Sequence, residues 1–200
     1  MNIIVYDLEI LQAIPDKRNT PLPDITYCQG WGDHAGMGIS VLGAYDTESD
    51  RYRVICNDNK GAAQELFFNP SALFVSFNGI GFDNKVLDAY WGIMVPESQC
   101  FDLLVEIWAA HGLGPKFSPR THGGFGLDAM CAANGIGAKS GKGAYAPIDW
   151  QRGLYGKVID YCLGDVWLTN KLFKLSQECQ LASPKDGTLF RIRTCQNSTD

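Results

Sequence analysis

The stretch that decides the fold lies close to the N-terminus and is Ile3-Ile4-Val5-Tyr6-Asp7-Leu8-Glu9-Ile10. Its β-branched and aromatic residues predict a β-strand that is apolar enough to lie in the centre of a sheet. Side chains two residues apart on a strand point to the same face, so Asp7 and Glu9 should lie side by side.

Two neighbouring carboxylates repel each other, and neither is stable as a buried anion without a cation close by. A hard divalent ion that prefers oxygen ligands, such as Mg²⁺ or Mn²⁺, would balance both charges. The alternative is that the strand ends here and both side chains reach water. Asp7 and Glu9 alone do not decide between these interpretations, so the decision depends on acids elsewhere in the chain.

The composition predicts a protein with a sizeable core. The chain has 200 residues, 46% hydrophobic and 12% aromatic, which fits one domain or one domain with a small appendage. No apolar run approaches the ~20 residues of a membrane span, and no basic region precedes the short N-terminal apolar run. The seven cysteines form no Cys-x-x-Cys pair. We therefore expect reduced thiols, no membrane segment and a cytoplasmic location.

Charge is unevenly distributed along the chain. The overall net charge is −5, which by itself argues against a polyanionic partner. Residues 1–100, however, hold 6 basic and 13 acidic residues, whereas residues 115–157 hold 6 basic and 2 acidic residues, a local net charge of +4. An acidic protein with such a basic, glycine-rich segment can still bind nucleic acid, and bound metal ions would add positive charge.

Hydrophobic periodicity and turn residues predict an α/β fold, with a mixed β-sheet flanked by α-helices. The predicted strands cover residues 3–10, 38–45, 51–56, 72–77, 100–104 and 188–193. The predicted helices cover residues 59–68, 82–91, 104–111, 127–134 and 150–180, the last with a break near Gly153 or Gly156. Long loops are predicted at 11–37 and 135–147, and loops of this length are often functional.

A second acidic position follows the strand at 72–77. Asp83 falls in the first turn of the next predicted helix, where the helix dipole favours an anion. Its spacing from Leu87 and Tyr90 predicts that the three share one helix face. The alternative is that Asp83 only stabilises the N-terminus of its helix.

The third acidic position lies on a buried helix face. The residues that follow the 3–4 spacing of a single apolar stripe are Leu154, Val158, Tyr161, Asp165, Leu168, Leu172 and Leu175. An Asp on such a stripe needs a partner inside the protein. A Tyr161–Asp165 hydrogen bond in the core is one possibility. A metal ion shared with Asp7, Glu9 and Asp83 is the other, and four converging carboxylates favour two divalent cations.

Three short motifs lie in order along the chain: Asp7-Leu8-Glu9, Asn78-Gly79-Ile80-Gly81-Phe82-Asp83 and Tyr161-Cys162-Leu163-Gly164-Asp165. They resemble the Asp-x-Glu, Asn-x-x-x-Phe-Asp and Tyr-x-x-x-Asp motifs of the DEDD superfamily of 3′–5′ exonucleases. The tyrosine resembles the DEDDy branch, which includes the proofreading domains of family B DNA polymerases. The DEDDh branch would have a histidine in place of Asp160. The resemblance spans residues 3–175.

The resemblance implies an RNase H-like fold and a single 3′–5′ exonuclease domain over residues 1–200, with inserted loops at 11–37 and 135–147. It also implies two Mg²⁺ or Mn²⁺ ions and release of nucleoside 5′-monophosphates. In the family pattern, Asp7, Glu9 and Asp165 hold one ion, while Asp7 bridges to the second, near Asp83. Two ions about 3.5–4 Å apart suit in-line displacement at phosphorus.

The resemblance further implies roles for neutral residues. Tyr161, with an ordinary pKa of ~10, is a poor base at neutral pH and would orient the attacking water. Leu8, Asn78 and Phe82 would contact the terminal nucleotide. Asp102 ends a predicted strand but matches none of the motifs, so it is not among the predicted ligands.

Both inserted loops carry residues that suit a nucleic acid. Lys139 and Lys142 occur together in the glycine-rich loop 135–147, so we expect them to grip the phosphate backbone. In the loop 11–37, Tyr27 and Trp31 would either stack on bases or pack as a lid. The Gly135–Gly143 stretch resembles a P-loop, but its glycine spacing is one residue too long and no Ser or Thr follows Lys142.

The expected substrate is nucleic acid, and the resemblance to the DEDDy branch favours DNA over RNA. A partner protein of replication or repair is also expected. Two alternatives remain open at this point. One is a 3′–5′ exoribonuclease, and the other is a non-catalytic nucleic-acid-binding module on the same fold.

Overall fold

The computed structural model describes residues 2–16, 18 and 20–195. Its main sheet contains β1 (Asn2–Ile10), β2 (Ile39–Asp46), β3 (Arg51–Cys56), β4 (Ala72–Ser76) and β5 (Cys100–Asp102). The strand order is β3-β2-β1-β4-β5. The β1–β2 and β2–β3 pairs are antiparallel, whereas β1–β4 and β4–β5 are parallel. The predicted mixed sheet is confirmed, and β1 is its central strand.

Helices lie between and after these strands. They are α1 (His34–Met37), α2 (Lys60–Phe67), α3 (Asp83–Val86), α4 (Leu103–Ala110), α5 (Leu127–Ala133), α6 (Ala146–Gln151) and α7 (Tyr155–Glu178). A π-helical turn, Leu87–Trp91, continues α3, and short 3₁₀ turns occupy Glu97–Gln99 and Gly143–Tyr145. Within the described residues, none of the helices is both long and apolar enough to cross a membrane.

The central strand is covered on both faces. The side chains of Tyr6 and Leu8 lie in a core with α2 and the segment formed by α3 and the π-helical turn. The side chain of Val5 packs on the other face, with residues of α4, α5 and α7. Alternation along the strand therefore directs Asp7 and Glu9 to the face on which α7 contacts β1.

Helix α7 buries most of the stripe that its sequence predicts, namely Val158, Tyr161, Asp165, Leu168 and Leu172. Leu154 is an exception because it precedes the helix and is 48% exposed. The predicted break falls at Gly153, whose φ of 79° separates α6 from α7 and favours glycine.

Two details of the predicted elements are wrong. Tyr90 is 40% exposed and does not share the buried face of Asp83 and Leu87. The π-helical turn contains more residues per turn than an α-helix, which rotates Tyr90 away from that face. The predicted strand at 188–193 is reduced to β7 (Leu189–Phe190), which pairs with β6 (Leu181–Ala182) in a separate two-stranded sheet.

The long segment between β1 and α1 is tied to the end of α6. The side-chain carbonyl of Gln151 accepts the N–H of Thr26 at 2.7 Å. Its amide nitrogen donates to the carbonyl oxygens of Leu11 and Thr26, each at 3.0 Å. This predicted insertion is therefore anchored beside the C-terminal end of β1, where Glu9 lies.

Candidate active site

Three carboxylates meet between β1 and α7. One carboxylate oxygen from each of Asp7, Glu9 and Asp165 lies within 4.8 Å of the other two. Glu9 is 7% exposed and Asp165 is 4% exposed, so these charges lie largely out of water. We call Asp7, Glu9 and Asp165 the acidic cluster.

A glycine on β2 allows α7 to lie close to the sheet. Gly43 pairs with Asp7 across the β1–β2 ladder. A Cβ atom at this position would lie 3.0 Å from Sγ of Cys162 and 3.3 Å from Cγ2 of Val166. The Cys162 thiol donates to the carbonyl oxygen of Asp7 at 3.5 Å. The absence of a side chain at Gly43 thus lets α7 bring Asp165 to the acidic cluster.

Asp83 lies beside the acidic cluster rather than in it. The pairing of β1 with β4 ends before Leu8, which leaves the Leu8 N–H without a partner in that ladder. Oδ1 of Asp83 accepts this N–H at 3.2 Å. Within the described residues, the group of carboxylates close enough to share one ion does not include Asp83. The fourth predicted ligand is therefore a buried neighbour of the other three, fixed to the same strand.

The loop that carries Asp83 is held by a carboxylate that lies outside the three motifs. Asp102 is 2% exposed. Its Oδ1 accepts the N–H groups of Asn78 at 2.8 Å and Leu104 at 3.0 Å, and its Oδ2 accepts that of Ile80 at 3.0 Å. Asp102 therefore positions the β4–α3 loop and caps α4. In the sequence, the only indication of this role was an acidic residue at the end of a predicted strand. Such a residue is a weak indication when it belongs to no motif.

A lysine supplies positive charge to the acidic cluster. Nζ of Lys139 lies 2.5 Å from Oδ2 of Asp165 and 3.3 Å from the hydroxyl of Tyr161. The backbone N–H of Lys139 donates to Oδ1 of Asp128 at 2.8 Å, which fixes the loop at this point. The ammonium group of Lys139 is thus directed inward, to a buried carboxylate that needs a cation. Its expected contact with a substrate phosphate stays a prediction.

Burial and mutual repulsion keep protons on the acids. Burial raises the pKa of Asp7 well above its ordinary value, and the charges of Asp83 and Glu9 add to the effect. Burial, with Asp165 and Asp83, does the same to Glu9. Burial raises the pKa of Asp83 to about 7, although its backbone hydrogen bonds oppose the shift. Full ionisation of Asp7, Glu9 and Asp83 is therefore unfavourable unless a cation lies among them.

The cation and the tyrosine respond to the same charges. Burial lowers the pKa of Lys139, but the Asp165 carboxylate outweighs it and the net shift is upward. Burial, followed by the charge of Asp165, raises the pKa of Tyr161 above its ordinary value. At neutral pH the ammonium group is therefore charged and the phenol is protonated.

The donor set fits a hard divalent cation. Oδ2 of Asp7 is buried and has no hydrogen-bond partner among the residues that the structure describes, which is costly for a carboxylate oxygen. It belongs to a group of three carboxylates at the spacing of a metal site. Oxygen-only ligands suit Mg²⁺ and Mn²⁺. A divalent ion among these oxygens would be coordinated by Oδ2 of Asp7 and would reduce the repulsion between the three carboxylates.

The structure separates the three residues expected to contact a nucleotide. The side chain of Leu8 is 4% exposed and lies in the core on the opposite face of β1 from the acidic cluster. The predicted contact of Leu8 with a nucleotide would therefore involve its backbone. Asn78 and Phe82 are half-buried in the β4–α3 loop. A Cβ atom at Gly81 would lie 2.4 Å from Oδ1 of Asn78, so this side chain folds over the glycine.

Lys142 lies at the rim of the site. It is exposed, and it lines a depression of about 240 Å³ together with Tyr161 and Lys157. Lys157 is paired with Asp149 at 2.7 Å. Of the two loop lysines, Lys142 is therefore the one that faces solvent next to Tyr161.

Comparison with known proteins gives matches by structure alone. The chain matches no protein-family model and no curated protein. Its structure is similar to that of E. coli exonuclease I in complex with a dT13 oligonucleotide, with a TM-score of 0.52 and 15% identity, over 88% of this chain and 41% of that chain. Apo exonuclease I aligns with a TM-score of 0.47 and 15% identity, over 88% of this chain and 45% of that chain.

These matches concern the fold. The shared architecture confirms the predicted RNase H-like α/β fold, with a mixed sheet flanked by helices. The chain spans less than half the length of these two solved structures.

Proposed function

We propose that this chain is a divalent-metal-dependent nuclease that removes nucleotides from the 3′ end of a nucleic acid, with DNA as the preferred substrate. The observation that carries the proposal is the acidic cluster, in which β1 and α7 bring three carboxylates within 4.8 Å of one another. The three ordered motifs and a fold similar to that of an exonuclease support the 3′–5′ polarity.

The chain would contribute a rigid set of oxygen ligands. Asp7, Glu9 and Asp165 would hold one Mg²⁺ or Mn²⁺, and Asp83 would act with Asp7 at a second. Two such ions supply Lewis-acid activation of water and stabilisation of the leaving 3′ oxygen. The sheet ladder fixes the first two side chains, and the Leu8 N–H orients Asp83 at 3.2 Å.

Tyr161 would position the attacking water rather than remove its proton. Burial and the charge of Asp165 raise the pKa of its hydroxyl, so the phenol stays protonated at neutral pH and acts as a hydrogen-bonding group. Lys139 would balance the charge of Asp165 in the metal-free protein. Lys142, exposed beside Tyr161, would contact a substrate phosphate.

The preference for DNA rests on the resemblance to the DEDDy branch and on the dT13 oligonucleotide in the E. coli exonuclease I structure. A 3′–5′ exoribonuclease would use the same carboxylates. A binding module without catalysis would need no metal ions. Oδ2 of Asp7, which has no hydrogen-bond partner in the described part of the chain, argues against that function. A partner protein of replication or repair stays a prediction.

A single assay separates these functions. Four 5′-labelled substrates, single- and double-stranded DNA and RNA, are incubated with Mg²⁺, with Mn²⁺ and with EDTA. The variants are Asp7→Asn and Glu9→Gln, which keep the size of the side chain but remove its charge. Asp88→Asn, at an exposed position in the π-helical turn, is the matched control.

The proposal predicts a ladder that shortens from the 3′ end, fastest on DNA, in the presence of either metal. EDTA, Asp7→Asn and Glu9→Gln should each abolish it, and Asp88→Asn should not. A faster ladder on RNA would favour the exoribonuclease. Binding without shortening would favour the non-catalytic module, and shortening in EDTA would contradict the metal dependence.

A further inference from the structure

One aromatic side chain of the long β1–α1 segment is presented to solvent. Trp31 is 73% exposed, although indole is among the side chains that gain most from burial. Tyr27, in the same segment, is half-buried and its hydroxyl accepts the N–H of Leu22 at 3.0 Å. Of the two aromatic residues singled out in this segment, Tyr27 is engaged in packing and Trp31 is free to bind.

The turn that carries Trp31 is clamped by one aspartate. The N–H of Asp33 donates to the carbonyl oxygen of Gly30 at 3.0 Å, which closes the turn around Trp31. The carboxylate of Asp33 accepts the N–H of Gln29 at 2.8 Å on one side and that of Gly36 at 3.0 Å on the other. The exposed indole therefore projects from a hydrogen-bonded turn. Because the backbone of this turn is already ordered, binding of a ligand to the indole would cost little further conformational entropy.

The indole lies next to the second motif. The ring centroids of Trp31 and Phe82 are 6.3 Å apart, with an angle of 65° between the ring planes. Phe82 directly precedes Asp83, and Oδ1 of Asp83 accepts the N–H of Leu8, the residue between Asp7 and Glu9. Trp31 therefore stands at the edge of the site, one aromatic ring away from the carboxylates.

The geometry distinguishes two ways to hold a base. A base between two rings would need them parallel and about 6.8 Å apart, twice the 3.4 Å rise of stacked bases. The inclined, edge-on contact of Trp31 and Phe82 does not provide such a slot. Phe82 contacts the indole at one side, and with 73% of Trp31 exposed most of the ring surface is open to solvent, which suits stacking of one base on one ring.

We infer that Trp31 is a stacking platform for a nucleobase of the substrate strand, close to its 3′ end. The inference rests on the proposed function and deepens it by assigning the substrate class that the β1–α1 segment binds. Stacking on an aromatic face requires no particular hydrogen-bonding edge, so the platform accepts all four bases. It holds the strand while the carboxylates act on the terminal linkage.

The test asks whether removing the Trp31 ring and removing one base of the strand affect binding through the same contact. Binding of a 5′-fluorescent single-stranded DNA is measured by anisotropy with Ca²⁺ in place of Mn²⁺, with a gel to confirm that the strand stays intact. The strands carry no abasic site or one abasic site, placed at each of the four positions nearest the 3′ end. The proteins are wild type, Trp31→Ala, Trp31→Phe and Phe68→Ala. Phe68 is 88% exposed and lines a separate depression with Gln64 and Met94, so it is the matched control.

The expected result is a coupled loss. Trp31→Ala lowers the affinity for the intact strand roughly 5- to 150-fold, the range of one base–aromatic stack. One abasic position lowers wild-type affinity by a similar factor and has no further effect in Trp31→Ala. Trp31→Phe retains most of the affinity, and Phe68→Ala changes nothing. With Mn²⁺, Trp31→Ala raises KM and leaves kcat unchanged, because it removes binding common to the ground and transition states.

Failure of the inference is distinguishable from failure of the proposed function. If wild type binds and shortens the strand and Trp31→Ala does so equally, with the same abasic profile, the platform alone is wrong. If wild type binds with coupling to Trp31 but does not shorten the strand, the platform holds and the exonuclease is wrong. If wild type neither binds nor shortens any strand, both are wrong.

Discussion

Nζ of Lys139 lies 2.5 Å from Oδ2 of Asp165, so a cation of the chain itself is paired with a carboxylate of the acidic cluster. The side chain of Lys139 is 24% exposed and that of Asp165 is 5% exposed. Breaking one half of a buried ion pair leaves an uncompensated charge, which is more costly than losing a pair at the surface.

Lys139→Met should therefore destabilise the metal-free protein. We expect the free energy of unfolding in EDTA to fall by about 1–3 kcal/mol, measured by urea denaturation at pH 7.5. Mn²⁺ should restore most of this loss, because it replaces the missing positive charge. Lys142→Met, at an exposed position in the same loop, should change neither value. An equal loss with and without Mn²⁺ would show that Lys139 does not act as a counter-ion.

The raised pKa of Asp83 gives stability a pH dependence. Its pKa is about 7 in the folded protein, against about 3.9 in an unfolded chain. Between these values the folded state binds a proton that the unfolded state has released, so the free energy of unfolding falls as pH rises from about 4 to 7. For Asp83 the total is of the order of 4 kcal/mol, and the raised pKa values of Asp7 and Glu9 act in the same direction.

Asp83→Asn should flatten this profile. An amide oxygen still accepts the Leu8 N–H but carries no charge to bury. In EDTA the variant should match wild type near pH 4 and be more stable at pH 8, by urea denaturation at each pH. Wild-type stability that is constant or rises between pH 4 and pH 8 would contradict the assignment of buried, repelling carboxylates.

Asp102 should affect the motif loop without affecting the acidic cluster. Asp102→Ala leaves three backbone N–H groups without their acceptor, so we expect a loss of about 2–4 kcal/mol in stability. Nuclease activity should fall because Asn78, Phe82 and Asp83 share the loop that Asp102 holds. Mn²⁺ affinity, measured by calorimetry, should stay within about threefold of wild type, since β1 and α7 supply the acidic cluster. A complete loss of Mn²⁺ binding in a folded variant would make Asp102 a ligand.

Gly43 tests whether the approach of α7 sets the acidic cluster. The Cβ of Gly43→Ala would meet Sγ of Cys162 at 3.0 Å, so α7 must move away from β2 by a few tenths of an ångström. We expect nuclease activity to fall roughly tenfold, because small displacements of catalytic groups are costly. Adding Cys162→Ala should recover part of the loss.

Gly61→Ala is the control for this series, since a Cβ atom at Gly61, in α2, meets open space. It should leave activity unchanged and raise stability slightly, because alanine is the better helix former. If Gly43→Ala has wild-type activity, or if Cys162→Ala gives no recovery, the spacing between α7 and β2 does not control the site.

Local patterns predicted those parts of the site that depend on a single element. Two-residue spacing placed Asp7 and Glu9 on one face of β1, and the 3–4 stripe placed Asp165 on the inner face of α7. The pairing of Lys139 with Asp165 was not predictable, because the two residues are 26 positions apart and the contact depends on the path of the irregular loop before α6. Sequence showed only a lysine beside glycines, which is typical of a solvent-exposed loop.

Backbone irregularities limited the remaining predictions. The 3.6-residue periodicity fails at Tyr90 because a π-helical turn begins at Leu87, and nothing in the local pattern distinguishes it from an α-helix. Two of the three acceptor contacts of Asp102, those with the N–H groups of Asn78 and Ile80, join β5 to the β4–α3 loop, so they emerge only once β4 and β5 are paired. The sequence thus left open the contacts between elements and the places where the backbone departs from regular geometry.

Metal binding by the acidic cluster is tested most directly by an anomalous difference map from a crystal of the protein soaked in Mn²⁺. We expect a manganese peak among the carboxylate oxygens of Asp7, Glu9 and Asp165, with the Lys139 ammonium displaced from Asp165. A second peak is predicted close to Asp83. If Lys139 still contacts Asp165 and no manganese peak lies among these carboxylates, the acidic cluster is not a metal site.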